Sequence, residues 1–193
     1  MDGGRLVIPA AAVLIAVGAW VIWLYNRFVG LQQRSEQAFS DIDAQLKRRH
    51  DLVPALVETV KGYAGHEKNT LEEVVRRRGE ATSMEGGTAP SGGQVRAENF
   101  LAQALRGVFA LAEAYPDLKA SERFAGLQSE LAVIEDDLQN ARRYYNAVVR
   151  DLNTTIAAFP NLLVARVFGF DRRDFFELDS PLERDAAKVD LGV

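Results

Sequence analysis

Nineteen consecutive residues bounded by Leu6 and Leu24 (LVIPAAAVLIAVGAWVIWL) carry no charged side chain. An α-helix needs about 20 apolar residues to cross a hydrocarbon core. The run therefore commits the N-terminus to a helix that is greasy on every side. Ten of its members are Leu, Ile or Val, each favouring insertion by about 0.3–0.6 kcal/mol. Pro9 falls in the first turn, where its missing N–H is harmless. Trp20, Trp23 and Tyr25 crowd the far end, and Arg27 follows at the exit to water. That is the order of an interfacial aromatic belt, so Trp20, Trp23, Tyr25 and Arg27 are expected to be membrane-interface anchors. Residues 1–28 then read as a single transmembrane anchor, with the lipid bilayer as partner from Leu6 to Leu24.

Two other readings compete. A cleaved signal peptide would use Val17-Gly18-Ala19 as its small-residue site. Against it, only Arg5 charges the preceding region, and apolar residues continue to Leu24. A buried core helix is the other, but a domain this small rarely needs one that is apolar all round. Arg27 and Arg34 outnumber Arg5 across the run. Positive-inside counting thus places the N-terminus outside and the body in the cytoplasm, by a margin of one charge.

About 165 residues follow the anchor, enough for one domain. The net charge of −4 gives no reason to expect nucleic acid, and the absence of cysteine excludes disulfides and thiolate metal sites. The body is nearly neutral, because from Asp171 onward seven acids face four bases.

Phe28, Leu31, Ala38, Phe39, Ile42 and Leu46 recur at helical spacing and continue the anchor into the body. Pro54 is expected to break this helix, with Asp51 capping the next one, a kink being the alternative. Leu52, Val53, Leu56, Val57, Val60 and Tyr63 resume the pattern. Thr70-Leu-Glu-Glu73 reads as a capping box, which allows a second interruption near His66. Residues 83–95, rich in Gly, form a flexible linker. Residues 97–114 are helical again. A last stripe from Phe124 through Leu131, Leu138 and Tyr145 to Phe159 predicts a helix over 121–159 stopped by Pro160. Such stripes must be buried against one another. The expected fold is all-α: a single N-terminal transmembrane helix followed by an antiparallel four-helix bundle over 29–165. Residues 166–193 comprise an aromatic segment (FGFDRRDFF, 168–176) and a disordered tail from Leu178.

No catalytic constellation is visible, and neither a metal site nor a cofactor site is predicted. His50 and His66 lack metal-ligand spacing. Glu72-Glu73 and Asp136-Asp137 lack the histidine three residues on that a di-metal bundle site needs. Lys47, Arg48, Arg49 and His50 make the densest basic cluster, read either as a solvated turn or as a contact for a partner or anionic lipid. Tyr144 and Asn146 flank the stripe residue Tyr145 and are the other candidate interaction residues.

The phrases QLKRRHDLVPALVETVKGYAGHE (45–67), LAEAYPDLKA (111–120), LQSEL (127–131), ARRYYNAVV (141–149) and FGFDRRDFFE (168–177) together resemble the LemA family. The resemblance implies a helical body on a single-pass bacterial membrane protein, without known enzymatic activity, cofactor or catalytic residues. Some relatives are associated with membrane organelles of magnetic bacteria, and others are encoded near membrane proteases. The expected function is a non-enzymatic scaffold or adaptor at the bacterial inner membrane, binding a protein partner or itself. A lipid-binding or membrane-shaping module is the alternative, and an enzyme the remote third.

Overall fold

The computed structural model describes residues 3–177, with side chains from Pro9 onward; the tail expected to be disordered lies outside them. Among the described residues the chain is helical with no strand. The helices are α1 (Gly3–Lys61), α2 (Lys68–Thr82), α3 (Gly92–Ala112), α4 (Pro116–Lys119), α5 (Glu122–Ala157) and α6 (Asn161–Phe168).

The chain divides into two compact units. Among the described residues, the first joins 3–42 with Gln139–Phe175, and the second joins Asp43–Leu138 with Phe176 and Glu177. Both α1 and α5 contribute a segment to each. In the second unit, Val53, Leu56 and Val60 of α1 share a core with Leu71 and Val74 of α2, Leu101, Leu105 and Val108 of α3, Leu118, and Phe124 and Leu131 of α5. In the first, Leu24 and Phe28 of α1 pack with Leu152 and Ile156 of α5 and Val164 and Ala165 of α6. Burying each such side chain contributes about 1.5–3 kcal/mol.

The expected break at Pro54 is overturned. α1 runs unbroken for 59 residues, and Asp51 is an exposed residue within it rather than a cap. Proline removes the N–H that would bond the carbonyl of His50. That carbonyl has a substitute donor, since Arg78 Nε of α2 reaches it at 2.7 Å. A buried acceptor is costly only when left without a partner, so the local defect is repaired from a neighbouring helix. Arg78→Met is expected to lose about 1–3 kcal/mol, the penalty for an orphaned carbonyl. In a Pro54→Ala background, where the helix regains its own N–H, the loss should shrink. Equal losses in both backgrounds, read from urea unfolding in detergent, would refute the repair.

The interruption near His66 is present, as a turn between Lys61 and Lys68, but the capping box is not. Glu67 occupies the N-cap position without a side-chain cap, and Glu73 pairs instead with Arg76 and Arg77. Ser91 caps α3, accepting from the Gln94 N–H at 3.0 Å. The last expected helix ends at Ala157, and residues 161–168, beyond the expected stop at Pro160, form the separate helix α6. Gly169 closes α6 at φ +72°, a left-handed turn that glycine adopts without strain. The Phe170 N–H then returns to the Ala165 carbonyl at 2.9 Å.

Candidate functional site

The basic cluster divides once folded. Lys47 and Arg48 are exposed, with Arg48 3.8 Å from Asp137. Arg49 and His50 are buried, at 2 % and 1 % exposure, and so are not the surface residues the sequence suggested. The reason is register: Arg49 takes the core-facing position between Leu46 and Val53 on α1, and His50 lies beside it.

Two buried bases need counter-charges, and the second unit supplies them from three other elements. Arg49 Nη2 donates to Glu98 of α3, which is itself fully buried. Arg49 Nη1 donates to Glu135 of α5 at 3.2 Å. His50 lies between two carboxylates, with Nε2 2.9 Å from Glu98 and Nδ1 2.6 Å from Glu85, which comes from the glycine-rich linker. Asp43 on α1 and Arg78 on α2 also face this cluster. Desolvation pulls the His50 pKa down, but hydrogen bonds to Glu98 and Glu85 and the charge of Glu98 outweigh it, so the net shift is upward. Burial pushes Glu98 up, yet His50 and Arg49 together hold it below the ordinary carboxylate value. Burial and then the Glu85 charge raise Asp43. Protonated His50 thus donates one N–H to each acid. The two carboxylates occupy opposite ring nitrogens, so they converge on the imidazole rather than on a shared point in space. The cluster ties α1, the linker, α3 and α5 together.

This fixes a pH dependence. His50 binds its proton more tightly folded than unfolded, so its contribution is complete below the ordinary value of 6.5 and is lost as pH rises through the raised one. Glu98 acts oppositely: its contribution is complete above 4.5 and is lost as pH falls through the lowered value. Asp43 partly offsets Glu98, contributing at low pH and losing that contribution as pH rises through its own raised value. Urea midpoints should therefore decline above pH 6.5, and His50→Gln should flatten that decline. A variant retaining the full slope would show that the proton is bound elsewhere.

The other predicted residues scatter. Tyr144 is exposed and Asn146 half-buried, both on the α5 segment of the first unit. Trp23, Tyr25 and Arg27 are exposed on α1, with the Arg27 guanidinium 5.5 Å from the Trp23 ring centre, while Trp20 is half-buried. Within α1, Pro9–Lys61 is long and apolar enough to cross a membrane, and only 11 % of its most apolar stretch is buried. Just beyond Leu24 the aromatic segment meets α1. Tyr25 meets Phe168 at 5.2 Å and Phe170 at 5.4 Å, and Phe28 meets Phe170 at 5.0 Å. Arg173 fixes the segment, donating to Ser35 Oγ at 2.7 Å and Glu36 at 2.6 Å, while its backbone exchanges two bonds with the Asn153 amide.

A groove of about 480 Å³ lies along α1 and α2 in the second unit, lined by Val57, Leu71 and Val75. Its charged lining residues Lys61, Lys68, Glu72 and Arg76 are all exposed.

The family model for the LemA family matches residues 38–191. The chain belongs to the LemA family. The match covers the described residues of the second unit, Glu85 and Glu98 included, and Arg173 with Asn153, but begins after Ser35 and Glu36. This LemA-family chain is 23 % identical over 194 residues to magnetosome protein MamQ 2 of Paramagnetospirillum magneticum, covering 89 % of this chain and 71 % of the relative. It is 27 % identical over 143 residues to protein LemA of Metamycoplasma hominis, covering 73 % and 63 %. With MamQ of Magnetospirillum gryphiswaldense it shares 22 % over 186 residues, covering 84 % and 68 %.

Proposed function

We propose that this LemA-family chain is a single-pass protein of the bacterial inner membrane. Its helical body stands on the cytoplasmic side and acts as a non-enzymatic scaffold or adaptor for another protein or a second copy. The observation that carries this reading is α1: one uninterrupted helix bears an exposed apolar stretch at its N-terminal end and the buried Arg49 and His50 near its other end. A body whose internal charges are consumed by one another holds shape and offers its surface. The magnetosome proteins among its relatives fit a role in organising a membrane. The cytoplasmic orientation rests on Arg27 and Arg34 against Arg5.

Photo-crosslinkers placed at Lys47, Arg48 and Tyr144 in native membranes test the scaffold. Discrete adducts with a partner or a second copy are expected; monomer alone at every position would end the proposal. Because the chain has no cysteine, Val133→Cys reports orientation. A membrane-impermeant maleimide should label it only after permeabilisation. A lipid-binding role is the second reading, and the exposed apolar residues of α6 favour it.

A further inference from the structure

We propose that α6, with Phe159 just before it, lies in the lipid interface beside α1 as a second membrane contact. This rests on the reading of α1 as the anchor.

One side of α6 is already accounted for. Val164 and Ala165 are buried against Leu24 and Phe28, with Trp20 and Val21 packed on the same cluster. With Leu31, the cluster runs along α1 from Trp20 over about 17 Å at 1.5 Å per residue. The α6 cluster thus spans the end of the apolar run and the aromatic belt. Because α1 is continuous there, a bilayer around residues 6–24 sets the depth of α6 as well. The Phe168 ring, 5.2 Å from Tyr25, marks the same level.

The opposite side of this segment is apolar and bare. Phe159 is 82 % exposed, Leu163 55 % and Val167 79 %. Leu163 and Val167 stand four residues apart on one face of α6, and Phe159 lies in the turn just ahead of it. Six of the eight residues of α6 are apolar, so the helix is greasy on both its packed and its outward sides. Water is a poor solvent for such a face. Lipid headgroups and upper acyl chains suit it, and interfacial amphipathic helices sit roughly 5–10 Å into that boundary. Arg166 is the one charged residue of α6; it is exposed, and its long stem lets the guanidinium stay in the headgroups. Pro160 and Asn161 set the turn into α6, with Asn161 Nδ2 donating to the Thr155 carbonyl at 3.2 Å. The turn therefore delivers α6 to α1 instead of letting α5 run on.

The absence of cysteine allows a direct test in the full-length chain. Leu163→Cys and Val167→Cys are spin-labelled and reconstituted in phosphatidylcholine–phosphatidylglycerol vesicles. Ile15→Cys serves as the reference in the span, and Val133→Cys as the reference on the exposed body. Collision with dissolved oxygen reports lipid, and collision with a nickel chelate reports water. Both α6 labels should resemble Ile15, with an oxygen-to-nickel ratio several-fold above that of Val133. If they resemble Val133 while Ile15 reads as lipid, the interfacial helix is refuted and the anchor stands. If they are shielded from both reagents, protein covers the face, and the proposal falls in favour of a second copy or another chain. If Ile15 itself reads as water, the anchor is wrong and the inference falls with it.

Discussion

Glu98→Gln is expected to lower the unfolding free energy by about 3–5 kcal/mol, the range for breaking a buried ion pair by removing one partner. Glu98 is fully buried and answers both Arg49 and His50. The amide keeps shape and volume but leaves two bases facing the half-exposed Glu135 and Glu85. Glu73→Gln is the informative contrast. Glu73 pairs with Arg76 at 2.5 Å and Arg77 at 2.7 Å. On bond counting alone it would matter as much as Glu98. Exposed pairs are weak because water solvates both partners in the unfolded chain equally well. Replacing Arg49, His50 and Glu98 together by apolar residues of similar volume should recover much of the loss, because the cost lies in the unpaired charge. Urea titration of the full chain in detergent measures all of these. Equal effects for Glu98→Gln and Glu73→Gln would refute the buried lock.

The second large effect is expected at Tyr145 in the first unit. Its ring is fully buried, 6.0 Å from that of Phe39, and its hydroxyl donates to the Asp174 carbonyl at 3.0 Å. Burial pushes its phenol up to about 12, so it remains a donor throughout the neutral range. Tyr145→Ala should cost about 3–5 kcal/mol, as truncation of a large buried aromatic does. Tyr145→Phe should cost about 0.5–1.5 kcal/mol, the net value of one hydrogen bond. Neighbouring Tyr144→Ala should stay within about 0.5 kcal/mol, as exposed positions do. The Phe variant separates the two roles: if it matched Tyr145→Ala, the hydroxyl rather than the ring would hold the 168–176 segment.

The ordering of these effects was partly legible. Tyr145 sits on the α5 stripe and its neighbour Tyr144 does not, and their burial follows. Phe39, Ile42, Leu46, Arg49, Val53, Leu56 and Val60 also step by three and four without a slip. That unbroken phase places Arg49 in the core and argues for continuity through Pro54. Proline is a local helix breaker, yet the phase prevails over it because Arg78 supplies the lost donor. Glu98 gave the same kind of signal, standing in step with Leu101, Leu105 and Val108. Glu85 gave none. It stands in a Gly-rich stretch, and only the tertiary arrangement brings it to His50, 35 positions away. α6 was hidden because an eight-residue helix buries only part of a turn, too little for a periodic stripe. Arg173 was equally silent, as its partners Ser35 and Glu36 lie more than 130 positions upstream.

Glu85 has a practical consequence for the loop that carries it. The nonhelical connection between Thr82 and Gly92 is tethered to the interior at Glu85, and Ser91 is engaged as the cap of α3. Between those two fixed points, lengthening a surface loop costs little, since closure entropy grows only logarithmically. An epitope or fluorescent protein spliced between Gly87 and Pro90 should leave the body intact. The same cargo placed ahead of Glu85 would pull the acid from its histidine. The permissive window for tagging this protein is therefore a few residues wide, and its edge is electrostatic.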